Sequence, residues 1–160
     1  MKKPERYLYA AALAFVVAAA GYISSCCYQL MLIHGDSMLP AYHSLQLVVL
    51  ERRPESYERG DVVLCSCPAL DADIVKRIAA VSGDRICVED DCMYINGAAS
   101  ASLPEYGRRA DYLREQSFVV PEGMYILLGD NADHSIDSRF KDVGLAAESE
   151  LLGRVVNGRR

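Results

Sequence analysis

No long basic stretch lies outside the N-terminus, and the formal net charge over 160 residues is -5. The chain therefore lacks the basic footprint of a nucleic-acid binder. Histidine is scarce: His34 lies just before Ser37 on the same expected strand, His43 falls in a turn-like run, and His134 sits in a polar loop. Of the three, only His134 stands as an alternative base. Metal-ligand spacing is missing too, because Cys65 and Cys67 have no histidine near them in sequence and a zinc site needs more ligands than two thiols. No metal and no cofactor are expected. Internal repeats and low-complexity tracts are absent, and the length leaves room for one membrane segment and one modest domain of about 100–150 residues.

What the chain does have begins at the N-terminus. Residues 7–33 carry no charged side chain, and as a helix rising about 1.5 Å per residue they are long enough for a hydrocarbon core of roughly 30 Å. Lys2, Lys3 and Arg6 precede this stretch, and a positive flank favours the cytoplasm. The expected organisation is a cytoplasmic tail over 1–6, a transmembrane anchor over 7–28 and an extracytoplasmic domain over 29–160. A cleaved secretory signal is the alternative, since a basic start and an Ala-rich apolar stretch also fit one. The apolar character continues past the usual length of such a signal, which favours an uncleaved anchor in the cell membrane. Residues 29–34 read as a strand leading into Ser37.

Six cysteines in an exported domain invite a disulfide reading. A tight turn at Glu89-Asp90 would set Cys87 opposite Cys92 in a non-hydrogen-bonded pair, where side chains approach most closely. A Cys87–Cys92 hairpin disulfide is therefore possible. Cys65 and Cys67 share one face of a strand and read as small buried apolar residues. Cys26 and Cys27 close the apolar stretch and read as packing residues.

After Pro40 the pattern is predominantly β, with apolar or β-branched runs at 45–51, 61–67, 73–80, 84–88 and 92–96 separated by turn residues. Residues 98–116 read as a surface loop, strands return at 117–120 and 124–128, and 151–156 reads as a closing strand. Residues 129–139 are almost without apolar side chains, which after a buried strand marks a functional or highly structured loop.

A serine hydroxyl is a weak nucleophile until a base takes its proton. Lysine serves if burial lowers its pKa from about 10.4, because desolvation disfavours the ammonium form. Lys76 sits among apolar residues in Asp73-Ile74-Val75-Lys76-Arg77-Ile78 and by alternation faces away from Val75 and Arg77. The residues alone leave two readings open, a solvated strand lysine and a desolvated base.

Gly35-Asp36-Ser37-Met38-Leu39-Pro40, Arg59-Gly60-Asp61-Val62-Val63, Val75-Lys76-Arg77-Ile78 with Ser82-Gly83-Asp84, and Gly129-Asp130-Asn131 with Ser135-Ile136-Asp137-Ser138-Arg139 follow one another along the chain. In order and rough spacing they resemble bacterial type I signal peptidases of the Gram-positive kind. The resemblance implies a membrane-anchored, mainly antiparallel β domain of the signal peptidase and LexA-like type, removing signal peptides from exported preproteins after small residues. Its partners would be those preproteins and the lipid bilayer. Ser37 would be the nucleophile, Lys76 the general base, and Ser135 the hydroxyl that bonds and orients the lysine amine. Asp137 and Arg139 match a bracing charged pair, Asp130 and Asn131 read as turn-formers, and the Ser37 backbone N–H is the implied oxyanion donor. Gly35, Asp36, Met38 and Ile74 mark the implied substrate and oxyanion region, where a peptide would add to exposed strand edges.

Gly35 stands where some relatives have a serine, so the second oxyanion donor is absent or supplied elsewhere. Ser44-Leu45-Gln46 replaces a turn glycine, Ala80 and Ser82 stand where glycine and proline are preferred, and Ala132 stands in place of an arginine. Two other readings compete. A self-cleaving repressor-type protein shares the Ser-Lys logic, but an apolar N-terminus in place of a DNA-binding domain argues against it. A non-catalytic or specialised membrane-anchored assembly factor would keep the fold without the activity; its expected sign, loss of Ser37 or Lys76, is missing.

Overall fold

The computed structural model describes residues 3–89, 92–102 and 117–157. One helix, α1 (Lys3–Cys27), runs without a linker into β1 (Tyr28–Leu32). The Arg52 N–H donates to the Cys27 carbonyl at 2.8 Å, giving an acceptor to a C-terminal carbonyl that the helix itself leaves unpaired. Among the described residues no helix is long and apolar enough to cross a membrane. The large apolar side chains from Tyr7 to Tyr22 stand exposed along α1.

The rest is antiparallel β. Further strands are β2 (Leu47–Glu51), β3 (Val62–Cys67), β4 (Ala72–Ala80), β5 (Arg85–Glu89), β6 (Cys92–Ile95), β7 (Ala98–Ser102), β8 (Phe118–Val119), β9 (Met124–Leu128), β10 (Ala146–Ala147) and β11 (Leu151–Val155). One sheet has seven strands in the order β1-β2-β11-β3-β4-β9-β10; the other has four, β7-β6-β5-β8. Apolar alternation produces this arrangement: Val48 and Leu50 on β2, and Ile78 and Ala80 on β4, turn to the interior while their neighbours are more open.

Three apolar clusters result. Ile33, Met38, Tyr42, Val48, Leu50, Val62 and Val155 underlie the segment carrying Ser37. Val63, Cys65, Ile78, Tyr125 and Leu127 form a second cluster, and Ile86, Met93, Ile95, Ile126 and Leu128 tie the small sheet to β9. Each fully buried side chain of this size contributes roughly 1.5–3 kcal/mol relative to exposure.

Two of the open strand edges among the described residues lie near Ser37. β1 is the terminal strand of the large sheet, and β9 pairs with β4 only from Arg77 to Ala80, so residues 72–76 have β3 alone as a partner.

Three sequence expectations change. Residues 98–102 are a strand, not the start of a loop; the pairing of Ala98 with Ile95 explains this, since small side chains suit a short outer strand. The remainder of that expected loop, 103–116, lies outside the described residues. The β5–β6 hairpin is present, but its register pairs Glu89 with Cys92 and Cys87 with Tyr94, two residues away from the expected alignment. Cys87 and Cys92 are thus diagonal rather than opposite, and both are free thiols; diagonal positions lie about 7–8 Å apart, beyond easy disulfide reach.

Candidate active site

Ser37 lies just after Gly35, whose φ of 86° suits a residue without a Cβ. The Gly35 N–H donates to Ser44 Oγ at 3.2 Å, so Ser44 ties the two ends of the segment together. Leu45, in the run that replaces a turn glycine, takes a φ of 64° and stays exposed. Such a conformation is unusual for a leucine. Behind Ser37, Met38 and Tyr42 bury their side chains and anchor the segment. The Ser37 N–H makes no hydrogen bond among the described residues.

Lys76 reaches Ser37 from β4, its Nζ donating to Ser37 Oγ at 2.8 Å. It is buried, and that desolvation pushes its amine below the ordinary lysine value. Asp137 opposes the shift by favouring the charged form, and the Arg139 guanidinium restores part of it by repulsion.

The polar loop after β9 supports this pair. Asn131 N–H donates to the Ser37 carbonyl at 2.9 Å and its side-chain amide to the Asp36 carbonyl at 3.0 Å. Asn131 is thus a clamp on the serine segment rather than only a turn-former. Asp130 differs from the expectation in the same way, because Arg77 Nε and one guanidinium NH2 grip its two oxygens at 2.7 Å each. Arg77 also donates to the Gly60 carbonyl at 2.8 Å. The side-chain bond to Asp130 raises the Arg77 pKa above its ordinary value.

Asp137 and Arg139 are both fully buried. Arg139 donates from Nε to Asp137 Oδ1 at 2.8 Å and from NH2 to Oδ2 at 2.6 Å, a fork-on-carboxylate geometry that costs least when dry. The Ser135 hydroxyl donates to Asp137 Oδ2 at 2.6 Å, and the Gly129 N–H joins it at 2.8 Å. Ser135, expected to orient the Lys76 amine, directs its hydroxyl proton to Asp137, and its oxygen lone pairs stay open to accept from an amine; among the described residues no hydrogen bond joins it to Lys76. Gly129 was not singled out from sequence beyond its place in a motif. A Cβ there would strike the Ser135 Oγ, the Ser135 Cβ at 2.5 Å and the Ser37 carbonyl oxygen at 2.6 Å.

A cleft of about 360 Å³ opens beside Ser37 and Lys76, walled by β1 and the first half of β4. Of the four residues expected to contact substrate, only Ile74 lines it. Gly35 and Asp36 lie outside, and Met38 is claimed by the core, since the cleft runs back along β1 rather than around the serine turn. Met31, Ile33, Leu64 and Val75 supply apolar wall, and Gln29, His34 and Asp73 supply polar wall. His34 and His134 make no hydrogen bond to Ser37 Oγ. Among the described residues no cluster of acidic, histidine or cysteine side chains could hold a metal ion.

The signal peptidase, peptidase S26 family matches residues 6–157. The chain belongs to that family. Similar to this signal peptidase family member are signal peptidase I of Bacillus licheniformis, 29% identical over 95% of this chain and 87% of the relative, and signal peptidase I T of Bacillus subtilis, 29% identical over 95% and 84%. Signal peptidase IB of Staphylococcus aureus is 30% identical over 77% of this chain and 73% of its own. A crystal structure of a signal peptidase I from Enterococcus faecalis overlaps 65% of this chain and 100% of its own, at 26% identity and a TM-score of 0.47. The matched residues take in the whole Ser37 segment, β4 and the polar loop.

Proposed function

We propose that this chain is a signal peptidase I, a membrane-bound serine endopeptidase that removes N-terminal signal peptides from exported preproteins after small residues. The observation that carries the mechanism is the 2.8 Å approach of Lys76 Nζ to Ser37 Oγ at a buried site. With the amine neutral, the same separation lets the hydroxyl donate to the nitrogen lone pair. Ser37 Oγ attacks the scissile carbonyl as Lys76 takes its proton; Lys76 then returns the proton to the leaving amine, and water, deprotonated by Lys76, hydrolyses the acyl-enzyme. The Ser37 N–H, without a partner among the described residues, is the oxyanion donor, a role worth about 2.7–4 kcal/mol for one donor. Asn131 and Gly129 fix the Ser37 backbone, and Asp137 with Ser135 and Arg139 forms the rigid floor under Lys76.

Substrate would enter as an extended strand between the open edges of β1 and of residues 72–76, its backbone completing both ladders. The anchor is α1: residues 7–33 carry no charge, and the exposed apolar side chains of the helix need a non-aqueous partner. With basic residues on its first turn side, the peptidase domain would face away from the cytoplasm.

Membranes containing the full chain should cleave a preprotein at an Ala-x-Ala site, and Ser37→Ala should abolish cleavage while the protein still accumulates. Cleavage at an unchanged rate by Ser37→Ala would overturn the reading.

A further inference from the structure

Resting on the peptidase reading above, we propose that Asp73 makes the cleft charge-selective. It favours substrates with a basic side chain four or five residues before the scissile bond and disfavours acidic ones there. Asp73 lines the same cleft as Ser37 and Lys76. It is exposed on β4, and its side chain makes no hydrogen bond or ion pair among the described residues, so nothing described in the fold neutralises its carboxylate. By strand alternation Asp73 and Lys76 face opposite sides, yet both line the cleft, because it opens along the unpaired edge of β4.

The other titratable groups on the cleft wall are His34 and Lys76. Lys76 must be neutral to act as base, and burial holds it toward that form, so it does not cancel Asp73 in the working enzyme. His34 is exposed and lies at the serine end of β1. The three-residue step from Asp73 to Lys76 spans about 10 Å of strand. Counted from the residue whose carbonyl Ser37 attacks, three residues of extended substrate reach the fourth residue before the bond, and side-chain reach extends this to the fifth. Gln29, the remaining polar wall residue, carries no charge and leaves the sign of the field to Asp73.

The test uses peptides that span an Ala-x-Ala site and differ only in having Lys, Gln or Glu at the fourth or fifth residue before the cleaved bond. Each is cleaved by the full chain in detergent. The expected result is a Lys-to-Glu ratio of kcat/KM of about two- to fivefold at one of these positions, the range of a partly exposed ion pair, shrinking at about 1 M salt. Asp73→Asn should bring the ratio to one, and Asp73→Lys should invert it. Because the readout is a ratio within one enzyme, a lower overall rate in either variant does not obscure it. Equal Lys and Glu rates at every position in the unaltered chain, or a ratio unchanged by Asp73→Asn, would overturn the charge selection and leave the peptidase reading standing. No cleavage of any peptide would overturn both.

Discussion

Lys76 is held under two opposed demands. Its amine must be neutral to take a proton from Ser37, so it is buried; a buried amine that can still charge costs the fold stability. The signs follow from its lowered pKa. Below that value the folded state carries a desolvated ammonium and the cost is full; as pH rises toward the ordinary lysine value the cost is relieved, because the folded state sheds its proton before the unfolded one. Cleavage should therefore fall on acidification as Lys76 becomes protonated, and a flat profile of kcat/KM down to mildly acid pH would count against a lysine base. By the same reasoning Lys76→Met should abolish cleavage yet raise the melting temperature by a few degrees at neutral pH, the response to about 1 kcal/mol in a protein of this size. Gly129→Ala is the opposite case: with the Ser135 side chain and the Ser37 carbonyl both in the way, it should cost about 1–3 kcal/mol in thermal unfolding and at least about tenfold in kcat/KM through displacement of Ser37.

Ser37 and Lys76 were legible through the order of four motifs that carries the family resemblance, since the residues alone left Lys76 open between a solvated strand lysine and a base. The support around them was not. Asn131 reaches back 95 residues to the Asp36 carbonyl, and no local pattern records a contact over that separation. Ser135 shows the same limit: that its hydroxyl donates to Asp137 depends on how the polar loop packs against Gly129, which the residue types alone do not reveal.

At the scale of elements, most strands follow from apolar alternation and Gly or Asn turns, and β4 was read from sequence nearly end to end. Register was less legible. In the β5–β6 hairpin a two-residue shift leaves every side chain on the same face, so alternation fits both alignments equally well and cannot choose between them. The observed alignment has a chemical consequence. Cys87 and Cys92 should both be alkylated in the natively exported, unreduced protein, giving the same mass as the reduced sample; protection of both thiols until reductant is added would contradict the register. The open edges of β1 and β4 are likewise properties of the sheet, visible only once the extent of the β9 pairing is known.

For the whole molecule, one buried charged cluster and one exposed apolar helix set the behaviour. Asp137 accepts from Ser135, Gly129 and Arg139 at once, so it joins the end of β9 to the polar loop. Asp137→Ala strips a buried guanidinium of its bidentate partner and should cost about 3–5 kcal/mol, read as a lower denaturant midpoint. The helix α1 leads directly into the edge strand of the cleft, with Cys27 followed by Tyr28, which would hold the cleft close to a bilayer. The full chain should then stay with the membrane pellet after alkaline carbonate extraction, and release into the soluble fraction would contradict the anchor.

The central claim is that Lys76 activates Ser37, and the most direct measurement is the rate at which the Lys76→Ala protein processes an Ala-x-Ala preprotein, compared with the unaltered chain at equal membrane abundance. Cleavage should disappear while the protein remains folded and accumulated. Processing at an undiminished rate would contradict the dyad.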